Sequence, residues 1–272
     1  MPQSELRKHG SGDSHMNDFE GKTAVVIGGE TGIGRAVSTA LVARGAEVVI
    51  AGILADEGQE LANELSKAGK ATFRKTDVRV PAEVEAAIAA GSAPLDILVY
   101  CAGIFDGFLP ARDTTEPVWD QVMNINLKGA YLASRAALEV MVPRGHGKIV
   151  NIGSVASITA NADGFAYTVS KHALLGLTKH IAFTYSQDGI CANTVCPGII
   201  ETKITSNSAR IWGAGAPKMD ILDESDGWKR LVPARRRGQA PEVAELVLFL
   251  ASEQASYISG QAIAIDGGWL TA

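Results

Sequence analysis

Two residue constellations in this chain have the types and spacing for chemistry. The first is Tyr167-Thr-Val-Ser-Lys171, which places a phenol and an ammonium at i and i+4 on one helix face. A free phenol titrates near 10. An ammonium within about 4–6 Å favours the phenolate and lowers that value by about 1–3 pH units, towards the range of a general acid/base. A Tyr/Lys pair at this spacing is also a common surface feature, so the company it keeps matters. Ser154 stands thirteen residues earlier and ends an apolar run, at the carboxyl edge where open α/β sheets bind ligands. The second constellation is Gly28-Gly-Glu-Thr-Gly32-Ile-Gly34, directly after the β-branched run Thr23–Ile27. Its spacing is G-x-x-x-G-x-G. Between a strand and a helix, such glycines let the backbone turn tightly and bring helix N-terminal amides up to a pyrophosphate. A plain structural turn is the alternative.

The elements that must position these residues follow from hydrophobic periodicity. Strands are predicted at 23–27, 47–50, 71–75, 97–101, 148–152, 191–195 and 262–265. Helices are predicted at 33–44, 57–68, 81–89, 119–141, 167–186 and 242–251. Continuous apolar strands imply burial on both faces, hence a parallel sheet covered by helices. The alternation gives a doubly wound α/β fold, seven-stranded and in a single domain over 18–272. The one long irregular stretch runs from Lys203 to Gly238, and its part 203–232 is expected to be a lid. Residues 1–17 are polar, without the apolar core of a secretory signal, and are read as a disordered arm or a tag remnant.

Composition narrows the function classes. With 25 Lys and Arg against 30 Asp and Glu, the 272 residues carry a net charge of −5, which argues against a nucleic-acid partner. No apolar run reaches the roughly 18 residues of a membrane span. Three cysteines, Cys101, Cys191 and Cys196, form no CxxC pair. They read as free thiols of a cytoplasmic protein, with no metal site.

Taken in order, these motifs resemble the short-chain dehydrogenase/reductase family, with its Rossmann-type fold, in the common form of about 250 residues. The resemblance covers Phe19 to Ala272. It rests on Gly28/Gly32/Gly34, Asp77-Val78 after the third strand, Ala102-Gly103 after the fourth, and Asn126 in Asn-Ile-Asn-Leu-Lys-Gly. Ser154, Tyr167/Lys171, Pro197-Gly198 with Thr202, and Asp266-Gly-Gly268 complete it. The implied activity is NAD(P)-dependent hydride transfer between a secondary alcohol and a ketone. The resemblance implies that Tyr167 is the general acid/base and that Ser154 holds the reacting oxygen. Lys171 would bind the nicotinamide ribose and lower the phenol's pKa, and Asn126, preferred to Asn124, would keep a water in a relay to Lys171. The implied cofactor site comprises Gly28, Thr31, Gly32, Ile33, Gly34, Asp77, Val78, Ala102, Gly103, Tyr167, Lys171, Pro197, Gly198 and Thr202. Within it Asp77 would accept from the adenine amino group and Thr202 would contact the carboxamide or pyrophosphate.

The chain departs from the family pattern at Ile27, usually Thr, and at Cys101, usually Asn. Both are expected to be structural swaps in which an apolar contact between the two replaces a polar one; a weakened cofactor site is the alternative. The family's choice of cofactor lies at the end of the second strand, where an acid selects NAD and a nearby cation NADP. Here that strand ends Ile50-Ala-Gly52-Ile53-Leu54, with neither. Because a dianionic phosphate without a cation is costly, the reading favours NAD.

For the substrate, Phe105, Phe165 and Trp212, with Ser154, are expected to line an apolar pocket, along with Phe108, Leu109, Met219, Ile221, Leu222 and Trp228. A small cyclic or branched secondary alcohol fits. The ending Asp-Gly-Gly-Trp-Leu270 and the acid-less second strand also resemble relatives that oxidise sugar acids, whose carboxylate Lys203, Arg112 or Arg210 could meet. Arg235-Arg-Arg237 reads as a solvated loop, or alternatively as a patch for an acyl carrier protein, as in 3-oxoacyl-carrier-protein reductases. A non-catalytic nucleotide-binding protein is the reading from a different class. By resemblance a homotetramer is expected, through the helices 119–141 and 167–186 and the last strand.

Overall fold

The structure is a computed structural model, which describes residues 18–218 and 227–271. Its elements in chain order are β1 (Thr23–Ile27), α1 (Gly32–Ala43), β2 (Glu47–Gly52), α2 (Ala55–Leu65), β3 (Lys70–Lys75), α3 (Pro81–Ile88) and β4 (Ile97–Tyr100). Then come α4 (Glu116–Met123), α5 (Gly129–Met141), β5 (Gly147–Ile152), α6 (Phe165–Tyr185) and β6 (Ile190–Pro197). After these follow β7 (Ile200–Glu201), α7 (Ile204–Trp212), α8 (Trp228–Leu231), β8 (Gly238–Gln239), α9 (Ala240–Ala251) and β9 (Ala262–Ile265). Seven strands form one parallel sheet in the order β3-β2-β1-β4-β5-β6-β9. The inner strands β1, β4, β5 and β6 are buried along their whole length, mostly through apolar residues, with Lys148 and Asn151 of β5 and Asn193 and Thr194 of β6 buried among them. Alternate residues feed two cores: Val25, Ile27, Leu98 and Tyr100 face one set of helices, while Ala24, Val26, Ile97 and Val99 face the other.

Three expectations are corrected. The predicted helix 119–141 is two helices joined by a π-helical turn over Asn124–Lys128. The widened turn frees the Ile125 carbonyl, which accepts from the buried Tyr100 hydroxyl at 2.6 Å. The described residues of the stretch 203–238 are not all irregular: they carry α7 and α8, and the stretch ends in β8, which pairs in parallel with β7 just before it. Ile27 and Cys101 do not replace a polar contact with an apolar one. The Cys101 N–H donates to Ile27 O at 2.7 Å, but Ile27 registers with Tyr100, so alternation sends the two side chains to opposite cores. The arm 1–17 and Met219, Ile221 and Leu222 lie outside the described residues.

Candidate active site

The carboxyl ends of β1, β4, β5 and β6 border a cleft of about 580 Å³. On one side is the glycine turn. Gly28 has φ +75°, and a Cβ there would lie 2.6 Å from Ala102 N. A Cβ on Gly34 would sit 2.0 Å from Gly28 O. No other residue fits either position without moving backbone. The N-terminus of α1 that follows has no side-chain cap, so its free amides are open to an anion. Thr202 closes over Gly32, whose added Cβ would meet it at 3.5 Å. This cradle fits the pyrophosphate of a dinucleotide.

Ser154, Tyr167 and Lys171 border the same cleft. Ser154 follows β5. Its Oγ accepts from Ala156 N at 3.1 Å and donates to Asp163 Oδ2 at 3.4 Å. Tyr167 lies in the first turn of α6, edge-on to Phe105 with ring centroids 5.3 Å apart. Lys171, one turn later, holds its ammonium 5.4 Å from the Tyr167 ring centroid and donates to Ile152 O at 2.8 Å. Burial pushes Lys171 down to about 8.

The expected lowering of the Tyr167 pKa is reversed in the protein alone. Burial first, then the charges of Asp163 and Asp106, push the phenol up, and a hydrogen bond with Ser154 opposes them. The ammonium is aimed at the ring face and at a carbonyl, so it does not outweigh desolvation.

Asn126 sits in the π-helical turn, fully buried behind the cleft wall. Its Oδ1 accepts from Ile104 N at 2.8 Å, and its Nδ2 donates to Ile104 O at 3.0 Å and Ser170 Oγ at 3.1 Å. Gly103 lies between it and the lysine, because an added Cβ would be 3.5 Å from Asn126 Oδ1 and 3.6 Å from Lys171 Nζ. Thr31, Ile33, Asp77, Val78, Ala102, Pro197, Gly198 and Thr202 all border the cleft. The Asp77 carboxylate is clasped by Arg79 (Nη2 to Oδ2 2.6 Å, Nε to Oδ1 2.9 Å), which holds it below the usual carboxylate range.

Three of the expected substrate-pocket residues, Leu109, Phe165 and Trp212, lie off the cleft wall. Phe165 packs its ring on Trp119, 5.5 Å between centroids, and Trp212 turns inward to donate Nε1–H to Phe105 O at 3.1 Å. Phe105 and Phe108 do border the cleft, and Ile211, Trp228, Leu231 and Trp269 join them. Of the three cations considered for a carboxylate, Lys203 borders the cleft, Arg210 is paired with Glu57, and Arg112 is on the surface beside Asp113. The basic run is held within the chain: Arg236 bridges Glu242, Arg235 donates to Lys229 O, and Arg237 lies over the Trp228 ring.

Sequence reasoning missed several residues of this site. Asp106, fully buried, accepts from Tyr167 N at 2.9 Å and so caps α6 from a distant loop. Asp163 lies four residues before Tyr167, just ahead of α6, and is pushed up to about 7 by burial and by Asp106. Asn207 Nδ2 donates to Thr31 Oγ1 at 3.2 Å, and Ser208 Oγ accepts from Phe105 N at 3.0 Å, so α7 is stitched to both sides of the cleft. Glu30, inside the glycine motif, folds back onto the end of β2. The signals available were Asp163 at four residues before Tyr167 and an acid within a glycine turn. Nothing local marked Asp106.

Comparison with known proteins agrees with this geometry. A family model described as enoyl-(acyl carrier protein) reductase matches residues 27–270. The chain is 34% identical over 260 residues to 3beta-hydroxysteroid dehydrogenase 2 of Eggerthella lenta, covering 94% of this chain and 97% of that one. Levodione reductase superposes with a TM-score of 0.85 at 30% identity, covering 93% and 99% of the two chains. A candidate NAD(P)-dependent gluconate 5-dehydrogenase from Beutenbergia cavernae, with NADP bound at low occupancy, gives a TM-score of 0.82 at 34% identity, covering 93% and 98%. Sequence likeness along nearly the whole length, on the same sheet topology and around the same cleft, means that this chain belongs to the short-chain dehydrogenase/reductase family.

Proposed function

We propose that this oxidoreductase interconverts a small secondary alcohol and a ketone with NAD in preference to NADP, and that Tyr167 exchanges the proton. The observation that carries the reading is the meeting of Ser154, Tyr167 and Lys171 on one cleft with the glycine cradle. When bound, the nicotinamide supplies the hydride acceptor or donor. The chain's own residues do the rest. Ser154 Oγ exchanges its bond to Asp163 for one to the reacting oxygen. The Tyr167 phenolate takes the alcohol proton in oxidation, and the neutral phenol gives it back in reduction. Lys171, which now donates to the Ile152 carbonyl, would hold the ribose hydroxyls of a bound nucleotide and would bring positive charge to the phenolate. Asn126 fixes the loop after β4 and, through Gly103, the approach to Lys171. The apolar wall of Phe105, Phe108, Trp228 and Trp269 favours a cyclic or branched substrate of modest size. Mixing the protein with NAD and a panel of secondary alcohols at pH 9, while following absorbance at 340 nm, tests this. Absence of reduction with every alcohol and sugar acid, in a protein that binds the nucleotide, favours the non-catalytic reading.

A sugar-acid substrate is the second reading, favoured by Lys203 on the cleft wall and by the likeness to a candidate gluconate 5-dehydrogenase. A carboxylate would have to enter with its charge away from Asp163, towards Lys203. A carrier-protein reductase draws less support, because the arginines that would meet an acidic partner are engaged inside the chain. It predicts NADPH use and a carrier complex that salt disrupts.

We read residues 18–272 as one catalytic domain whose segment 203–232 closes the cleft, working in the cytoplasm as a homotetramer. Assembly is supported by the part-exposed edge strand β9 and by Phe183 on α6, 90% exposed. Sedimentation at micromolar concentration tests it. Among the described residues no helix is long and apolar enough to cross a membrane, and all three cysteines are free.

A further inference from the structure

At the end of β2, where an acid commonly reads the ribose of a dinucleotide, the chain has Gly52, and a side chain from elsewhere occupies the space. A Cβ on Gly52 would lie 2.0 Å from Glu30 Oε2 and 2.3 Å from Glu30 Oε1. Glu30 belongs to the glycine turn, is 4% exposed, and borders the cleft beside Gly52, Ile53 and Leu54. Its Oε1 accepts from Leu54 N at 3.3 Å, but its Oε2 is buried with no hydrogen-bond partner. An acceptor withdrawn from water and left without a donor is costly, and is rare unless something else brings the donor. The place is the right one for a nucleotide. Gly28 N–H donates to Ala51 O at 2.7 Å, so the pyrophosphate turn and the end of β2 are backbone neighbours.

We propose that Glu30 is the cofactor-selecting residue: its unpartnered Oε2 accepts from the adenosine ribose 2′-hydroxyl of NAD, and its negative charge rejects the 2′-phosphate of NADP. The acid absent from β2 is thus supplied from the neighbouring turn, and Gly52 is glycine because any side chain there would expel Glu30. Nearby charges point the same way. A second carboxyl group, Glu57, faces Glu30, so the negative charge at this end of the cleft does not rest on Glu30 alone. Arg210 is paired with Glu57 and Arg35 with Glu64, so both cations flanking α1 and α2 are engaged by acids, and Lys203 also faces Glu57. This role rests on the nucleotide-binding reading above.

The test is titration calorimetry of NAD and NADP against the full chain and the variants Glu30→Gln, Glu30→Ala and Glu30→Ala/Gly52→Asp, with thermal melts as a control on folding. The wild type is expected to bind NAD more tightly than NADP. Glu30→Ala should weaken NAD about tenfold, the worth of a hydrogen bond to a charged group. Glu30→Gln, which keeps the shape and loses the charge, should strengthen NADP and narrow the preference by about tenfold. The double variant, with the acid moved to the strand end, should restore the preference for NAD. Should Glu30→Ala fail to fold, Gly52→Ala reads the same effect by displacing the carboxylate. A ratio of NAD to NADP affinity unchanged in folded Glu30 variants, or a wild type that prefers NADP, overturns this role while leaving the enzyme reading intact. A wild type that binds neither nucleotide overturns both.

Discussion

Replacing Asp163 by Asn removes the carboxyl group that the fold holds against Ser154, and the effect on stability should be a gain. Burial first and the nearby Asp106 second raise this group from its ordinary 3.8 to about 7. At about 1.36 kcal/mol per pH unit, that raise disfavours the ionised form by about 4 kcal/mol. Asp163 is only partly buried at the cleft wall, and solvent screening reduces the figure by roughly half, to about 2 kcal/mol. The sign follows from proton uptake. The unfolded chain ionises this group as pH passes 3.8, whereas the folded chain holds its proton until about 7. The folded state therefore loses stability as pH rises between those values, and the full cost stands above about 7. Asparagine is neutral throughout and escapes it. Asp163→Asn should therefore melt higher than the wild type by roughly 4–8 °C at pH 8, taking about 2–4 °C per kcal/mol for a chain of this size. The gain should shrink as pH falls towards 4. Melting curves followed by tryptophan fluorescence from pH 5 to 8.5 measure it. A variant that melts lower at pH 8, or a gain that does not change with pH, refutes the electrostatic account of Asp163.

The remaining predictions concern the phenol, the turn and the stitched helix. Tyr167→Phe should lower turnover by about 10²–10⁴-fold while leaving nucleotide affinity nearly unchanged, as read by 340 nm kinetics and calorimetry; turnover near the wild-type rate would remove Tyr167 from the chemistry. Gly28→Ala forces a Cβ against Ala102 backbone at a φ of +75°, so the melting temperature should drop by an amount corresponding to about 3 kcal/mol or more, and nucleotide binding should fall with it. Ser208→Ala leaves the buried Phe105 N–H without its acceptor. It should cost about 1–3 kcal/mol, and amide exchange at Phe105 should speed up more than exchange in the central strands.

What the sequence revealed was what local physics controls. The inner strands were legible because parallel strands covered on both faces are largely apolar, even where Lys148, Asn151, Asn193 and Thr194 interrupt β5 and β6, and the glycine turn because its backbone admits nothing larger. The π-helical turn was not, since the apolar spacing of 119–141 runs through it unbroken and the partner of its Ile125 carbonyl, Tyr100, is distant in sequence. Phe165 could have been placed correctly. Residues two apart on a helix point about 200° away from each other, so a Phe165 facing the cleft is incompatible with a Tyr167 that does. Ile27 and Cys101 needed the register of β1 on β4, which is a matter of pairing and not of composition. Asp106 was beyond reach, because its partner Tyr167 N lies 61 residues away.

The acids explain why the phenol is raised when its motif suggests the opposite. Asp106 gives α6 the cap that Gly164 cannot supply, accepting at the helix N-terminus where the dipole favours a negative charge. That bond fixes where α6 begins, and with it where the Tyr167 hydroxyl meets Ser154. The same carboxyl, with Asp163 beside it, opposes ionisation of the phenol it positions. Lys171 is the countercharge, yet burial weakens its own hold on a proton, to about 8. Two carboxyl groups and one ammonium with a weakened hold on its proton therefore leave the Tyr167 end of the cleft short of positive charge. A ligand that brings positive charge to that end, as an oxidised nicotinamide ring does, lowers the cost of the phenolate and relieves the acids together. On the proposed reading, the acidity of the tyrosine is thus a property of the complex with the nucleotide, and the Tyr/Lys spacing supplies only part of it.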